Sequence, residues 1–333
     1  MKVRQICMMV LLGLGVIPAM QAQTFDKLWK EVEQAEKKSL PKTVIKLTDE
    51  IYQKGEKERN SAQMLKAYMW RMKTQDILTP DSFYVGLRDL EQWAKQTEQP
   101  MDRAILHSLI AEFYANYAAD NQWQLRQRTE IVGETPSADI REWTANMFVE
   151  KVRTNVKEAL ADSLLLLKTS SLNYIPFVEL GETSEYYHHD MYHLLASRAI
   201  RALNQIERLE RGSFNGITAS PVKQDIINIY ERMTDAYETV GLKEGYVLTM
   251  LQYLEWKRGN DNKLQPVQLK KGLGEWTADT YNAALDELKR QFKSEPICAE
   301  VYLAQVRYAV EKMQQVNALQ LCDEAIRLYP GYR

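Results

Sequence analysis

His188, His189, Asp190 and His193 fall in one short stretch. His189 and His193 stand four residues apart, the spacing that sets two imidazoles on one helix face, as a zinc site requires. Asp190 stands where zinc hydrolases carry a glutamate, and its shorter arm reaches a metal-bound water poorly. A third ligand is missing from the pattern: His107 is the remaining histidine, and Glu182 or Glu185 would have to be recruited. The same residues also read as a loop-helix junction, with Asp190 capping the helix that begins there and Tyr186 and Tyr187 packing beside the histidines. Neither a metal site nor a catalytic site is adopted on them.

Other chemistries leave weaker marks. Gly241, Gly245, Gly272 and Gly274 lack the strand-turn-helix setting of a phosphate-cradling loop. The acidic residues fall among lysines on polar helix faces, as solvated pairs do. Aromatics between Ala104 and Tyr117 suggest a carbohydrate groove, but their helical spacing suits packing between helices better. A helical glycan-active enzyme, the competing class, would need two carboxylates facing one cleft about 5 to 10 Å apart. Cys298 and Cys322 are too few for a disulfide framework. One bridge and two small buried thiols both fit them. No cofactor is expected.

The elements around these residues are helices. The chain has 333 residues, with 43 basic and 45 acidic side chains and a formal net charge of −2. That balance offers no field to attract nucleic acid or acidic lipid. Residues 1–22 carry the marks of an export signal: Lys2 and Arg4, an uncharged run from Ile6 to Val16, Pro18, and the small Ala22. Cleavage would leave a periplasmic protein without stable membrane insertion, since the run is short for a permanent span.

Beyond it, apolar residues recur every three or four positions, which predicts an all-α chain of helical hairpins over residues 23–333, with a possible subdivision near 169–188. The first helix is expected from Thr24 to Lys38, with Leu28, Val32 and Ala35 on one stripe, Trp29 beside it, and Lys27, Lys30, Glu33 and Lys37 facing away. Ser39 is expected to cap a second helix with Pro41 in its first turn. Further helices are expected over Ala62–Leu78, after Pro80, from Pro100, over Asp139–Lys168, from Asp190 to Gly212, from Pro221 to Gly241, and around Val247–Trp256 and Ala278–Phe292. Thr169–Tyr187, with Pro176 and Gly181, is the longest interruption and is expected to be a partly ordered loop.

The last unit indicates the type of repeat. In NALQLCDEAIRLYPGY, Ala318, Ala325 and Pro330 follow the small, small, proline spacing of the second helix of a tetratricopeptide repeat. Tyr302 falls at its aromatic knob, although Val306 stands where that repeat wants a small residue. The predicted architecture is a tetratricopeptide-like α-solenoid of stacked antiparallel hairpins, a fold that presents surfaces to partners.

Three blocks, FDKLWKEVEQAEKKSLPKTVIKLTDEIYQKGEKERN, RAILHSLIAEFYANYAADNQWQLRQRT and SADIREWTANMFVEKV, resemble the N-terminal helical region of alpha-2-macroglobulin family proteins exported by Bacteroidetes-type bacteria. The resemblance implies a non-enzymatic scaffold within a protein that traps proteases. Its partners would be other proteins or downstream domains of the same polypeptide. The family's β-sandwich domains have no counterpart before Arg333, so it also implies an amino-terminal piece of a larger molecule. The family's Cys-Gly-Glu-Gln thioester is not matched by Cys298-Ala299-Glu300-Val301, and no covalent trap carries over. A free-standing tetratricopeptide-like adaptor is the alternative.

Overall fold

The computed structural model describes residues 17–79, 82–129, 136–181, 184, 187, 189–210, 220–260 and 280–332. These residues are all-helical, with 81% helix and no strands. In chain order the α-helices are α1 (Ile17–Lys37), α2 (Pro41–Glu58), α3 (Ser61–Leu78), α4 (Ser82–Gln96), α5 (Pro100–Asp120), α6 (Gln122–Gln127) and α7 (Ala145–Ala159). There follow α8 (Ser163–Lys168), α9 (Met191–Glu207), α10 (Pro221–Val240), α11 (Lys243–Asn260), α12 (Thr280–Phe292), α13 (Cys298–Glu311) and α14 (Gln315–Leu328). The chain divides into two compact units: Met1–Leu106 with Lys168–Gly181, and His107–Leu167 with Glu182–Arg333.

In the first unit, α1 to α4 pack each on the next in chain order. Its core joins Phe25, Trp29, Val32 and Ala35 of α1 to Val44 and Ile51 of α2 and Ala67 of α3. Lys27, Lys30, Glu33 and Lys37 face outward as the periodicity requires. The buried Trp29 indole donates from Nε1 to Gln63 Oε1 at 2.7 Å, so its polar edge is satisfied inside the core. Residues 1–16 of the expected export segment lie outside the described residues. The helix expected from Thr24 starts earlier, at Ile17, with Pro18 in its first turn.

The links between helices correct one expectation. Ser39 does not cap α2; it takes a left-handed conformation, φ 53°, at the end of α1. Its N–H goes to Glu36 O and that of Leu40 to Ala35 O, the paired bonds of a Schellman stop. The same stop recurs at Arg59, Gly241 and Met313, with φ of 53°, 71° and 60°. Each left-handed residue turns the chain within two or three positions, and the two helices it joins pack on each other. Three of the four are not glycine, so a search for glycine stops finds only Gly241.

Of the interruption expected over Thr169–Tyr187, residues 182, 183, 185 and 186 lie outside the described residues, and the part before them carries a short element. Ser171–Tyr174 form a 3₁₀ turn, and the Tyr174 hydroxyl donates to Asp102 Oδ1 at 2.9 Å. Ser61 Oγ donates to the other oxygen of that buried carboxylate at 2.5 Å. Two hydroxyls thus compensate a carboxylate that would otherwise be costly to bury. The continuous pattern of Asp139–Lys168 is also broken into a 3₁₀ turn at Ile140–Glu142, then α7, then α8. α8 restarts because Asp162 Oδ1 accepts the N–H of Leu165.

In the second unit α7 packs on α9, and α9 to α14 pack each on the next. α11 also touches α13. Arg258 on α11 ties this run together, reaching Glu255 and Glu311 at 2.6 Å each, while Tyr281 of α12 donates to Glu255 at 2.9 Å. At Gly245 the α10–α11 approach is so close that a Cβ would sit 2.8 Å from the Tyr237 ring.

Candidate functional site

α9 starts at Met191 because Asp190 Oδ1 accepts the N–H of His193 at 2.7 Å, the capping role its type and position suggest. His189 lies before that cap and outside the helix. Its four-residue spacing from His193 therefore does not place the two rings on one helical face. His193 turns inward: its Nδ1 pairs with the Tyr237 hydroxyl, its Nε2 lies 3.5 Å from Ser197 Oγ, and Tyr187 stacks on its ring at 4.1 Å. Burial pushes the His193 pKa down to about 4. The same burial raises Tyr187 to about 12 and Tyr237 further still. A tyrosine that keeps its proton donates it, so Nδ1 accepts and Nε2 carries the hydrogen.

Both nitrogens of His193 are thus used within the protein. His188, Glu182 and Glu185 lie outside the described residues. His107 is occupied on α5, its Nδ1 at 2.8 Å from Asn155 Oδ1. Among the described residues no group of three or more His, Cys, Asp or Glu is arranged to hold a metal ion. Cys298 and Cys322 are free thiols. Cys298 opens α13, buried, with Sγ 3.7 Å from Lys289 O, and burial raises its thiol pKa.

The aromatics of α5 are packing residues. Tyr114 stacks on Trp143 at 5.3 Å, and Tyr117 on Phe148 at 5.4 Å. The buried arc of α5 is also shifted from the stripe of Ile105, Leu109, Phe113 and Tyr117: Phe113 and Tyr117 are half-buried, whereas Leu106, Ile110, Tyr114 and Ala118 are buried.

Two surfaces remain that the sequence did not single out. The first is a groove of about 700 Å³ floored by α9, with Ala119 and Gln122 on one side and Tyr230 and Gln252 on the other. Its floor presents Ser197, Ile200, Arg201, Asn204, Gln205 and Arg208, and among the described residues no carboxylate lines it. Its walls are fastened to the floor from both sides. Gln205 Nε2 donates to Asn116 at 2.8 Å and Arg198 pairs with Glu112, while Trp256 Nε1 donates to Asn204 Oδ1 at 2.7 Å. Gln205 Oε1 is buried with no hydrogen-bond partner among the described residues. Such a groove was legible only as a polar residue every three or four places along α9, a pattern shared by any surface helix.

The second surface is the end of the helical run. Of α14 only Ala318 is buried, whereas Val316, Leu319 and Ile326 are 74%, 64% and 71% exposed. Met313 in the link and Val310 on α13 are exposed as well. Leu303, Val306, Cys322, Ala325 and Ile326 line a shallow cleft of about 270 Å³ between the two helices. The apolar arc of α14 is therefore wider than the strip that α13 covers. Tyr302, the expected knob, is buried beneath, in edge contact with Tyr329 at 6.0 Å.

No family model matches the sequence, and no curated protein matches it either. Among the described residues no helix is long and apolar enough to cross a membrane.

Proposed function

We propose that this chain is the non-enzymatic, tetratricopeptide-like scaffold region of an exported alpha-2-macroglobulin-like protein, holding protein surfaces by non-covalent contact and supporting defence against proteases. The observation that carries the scaffold reading is the uncovered apolar face of α13 and α14. Contiguous exposed apolar surface is retained where another protein surface covers it, and a helical array offers such a face at each open end. Its chemistry is packing alone: Val310, Val316, Leu319 and Ile326 carry no polar group. The macroglobulin assignment rests on the three sequence blocks, and the export on residues 1–22. Supporting a contact role, Cys298 is packed into a helix start with its thiol buried, a poor position for a thioester.

Hydrogen exchange tests the scaffold. The natural gene product in its native complex is compared with residues 23–333 expressed alone. Slower exchange over Gln315–Leu328 in the complex supports the reading, and identical exchange overturns it. DNA sequence beyond the codon for Arg333 tests the assignment separately. A frame encoding β-sandwich domains supports it, whereas a stop codon followed by an unrelated gene replaces it with a free-standing adaptor.

A further inference from the structure

The groove over α9 has a chemistry distinct from the apolar end face. Arg201 and Arg208 line this space, and no carboxylate among the described residues lines it with them. Neither has a carboxylate partner among the described residues. Arg126 adds a third charge at the same end, where its Nη2 donates to the Arg208 carbonyl at 3.0 Å. Arg198, one turn before Arg201, has its pKa lowered by burial first, Glu112 opposes that, and the Arg201 charge adds to the lowering. Between the arginines stands the Asn204 carboxamide, with those of Gln122 and Gln252 at the walls; Asn204 Oδ1 accepts from Trp256 and Gln252 Nε2 donates to Tyr187, which leaves Asn204 Nδ2 as a donor and Gln252 Oε1 as an acceptor for a ligand. A carboxamide both donates and accepts, which suits the alternating N–H and C=O of a peptide backbone. Arginine suits the fork of a carboxylate. On α6, beside Gln122, Trp123 stands 75% exposed, a residue type enriched where proteins bind proteins.

We propose that this groove binds an acidic segment of a partner protein in extended conformation, its carboxylates on Arg201 and Arg208 and its backbone on the carboxamides of Asn204 and Gln252. The spacing adds a rule. Seven residues of helix separate the two arginines by about 10 Å, which a peptide in the polyproline II extension covers in about three residues at roughly 3.1 Å each, with every third side chain returning to the same side. The segment therefore places acidic residues three apart. This rests on the scaffold reading of the chain and names a partner chemistry for a second surface of it.

The test uses the purified full chain and a fluorescein-labelled extended peptide with two glutamates about three residues apart, followed by fluorescence anisotropy. Binding is expected to weaken by about tenfold or more on Arg201→Gln or Arg208→Gln, as for loss of a charged hydrogen bond, and to fall as salt rises. Glutamine in place of both glutamates should abolish it. Arg201→Glu should restore binding to a peptide with lysine at one glutamate position, which a merely misfolded variant would not do. Equal binding of the glutamate and glutamine peptides, no binding at all, or tighter binding of an acidic oligosaccharide than of the peptide overturns the proposal. None of these outcomes alters exchange at Gln315–Leu328, so the two readings fail separately.

Discussion

His193 makes the second unit sensitive to acid in a window that its surroundings define. In the folded protein burial lowers its pKa to about 4 from the usual 6.5. The ring is stacked by Tyr187, paired at Nδ1 with Tyr237, and set beside Ser197 at Nε2. Asp190 is the nearby carboxylate, but it is spent on the helix cap. Well above pH 6.5 the ring is neutral whether the chain is folded or not, and it contributes nothing to pH dependence. As pH falls below 6.5 the unfolded chain takes up a proton that the folded chain refuses, so stability drops with a slope of up to about 1.4 kcal/mol per pH unit. The loss is complete below pH 4 and amounts to about 3 kcal/mol. His193→Phe keeps a ring under Tyr187 and removes the titration. It costs stability at pH 7 because the Tyr237 hydroxyl loses its partner, yet its stability should fall less between pH 6.5 and 4 than that of the natural chain. Urea midpoints of both chains across that range give the difference, and the chemical shift of the His193 ring proton gives the pKa directly. A His193 that titrates near 6.5, or two pH profiles that run parallel, would refute the reasoning.

Met313→Gly should raise stability by about 0.5–1 kcal/mol, because the left-handed strain of methionine at φ 60° outweighs the extra entropy of an unfolded glycine; an unchanged urea midpoint would count against the Schellman assignment. Gly245→Ala should cost about 1–3 kcal/mol by driving a methyl into the Tyr237 ring, with the His193 resonance shifting as its partner moves. Tyr174→Phe removes a hydroxyl from a buried carboxylate and should cost about 1–3 kcal/mol, with faster amide exchange confined to Lys168–Gly181 and Asp102. In protein lacking residues 1–22, a thiol reagent should label Cys322 rapidly and Cys298 only on unfolding, since Cys298 is 0% exposed; equal rates would place Cys298 nearer the surface than described.

The helices were legible from residues alone because burying one face of a helix imposes a local period. Leu28, Val32 and Ala35, or Pro221 through Gly241, declare themselves without reference to anything distant. Caps were legible when a single short side chain decides them, as at Asp190. Signals fail where the backbone does the work with an unexpected residue. Ser39, Arg59 and Met313 end helices in the left-handed region through bonds that involve no side chain. Asp139–Lys168 kept one apolar rhythm across two breaks, because burial of Trp143 and Leu160 does not depend on the chain staying helical between them.

The candidate sites divide in the same way. Residue types set the absence of a net field, the all-α class and the spacing of the histidines, for these are properties of neighbours in sequence. Whether His193 faces solvent, a metal or Tyr237 depends on a contact 44 positions away. Likewise Arg201 and Arg208 acquire meaning only when residues of α5, α6, α10 and α11 close a groove around them that holds no carboxylate among the described residues, and Leu319 becomes notable only when no described helix covers it. Burial and electrostatic field are sums over whatever surrounds a group in space, and a linear pattern contains only the part of that sum supplied by its own turn of helix.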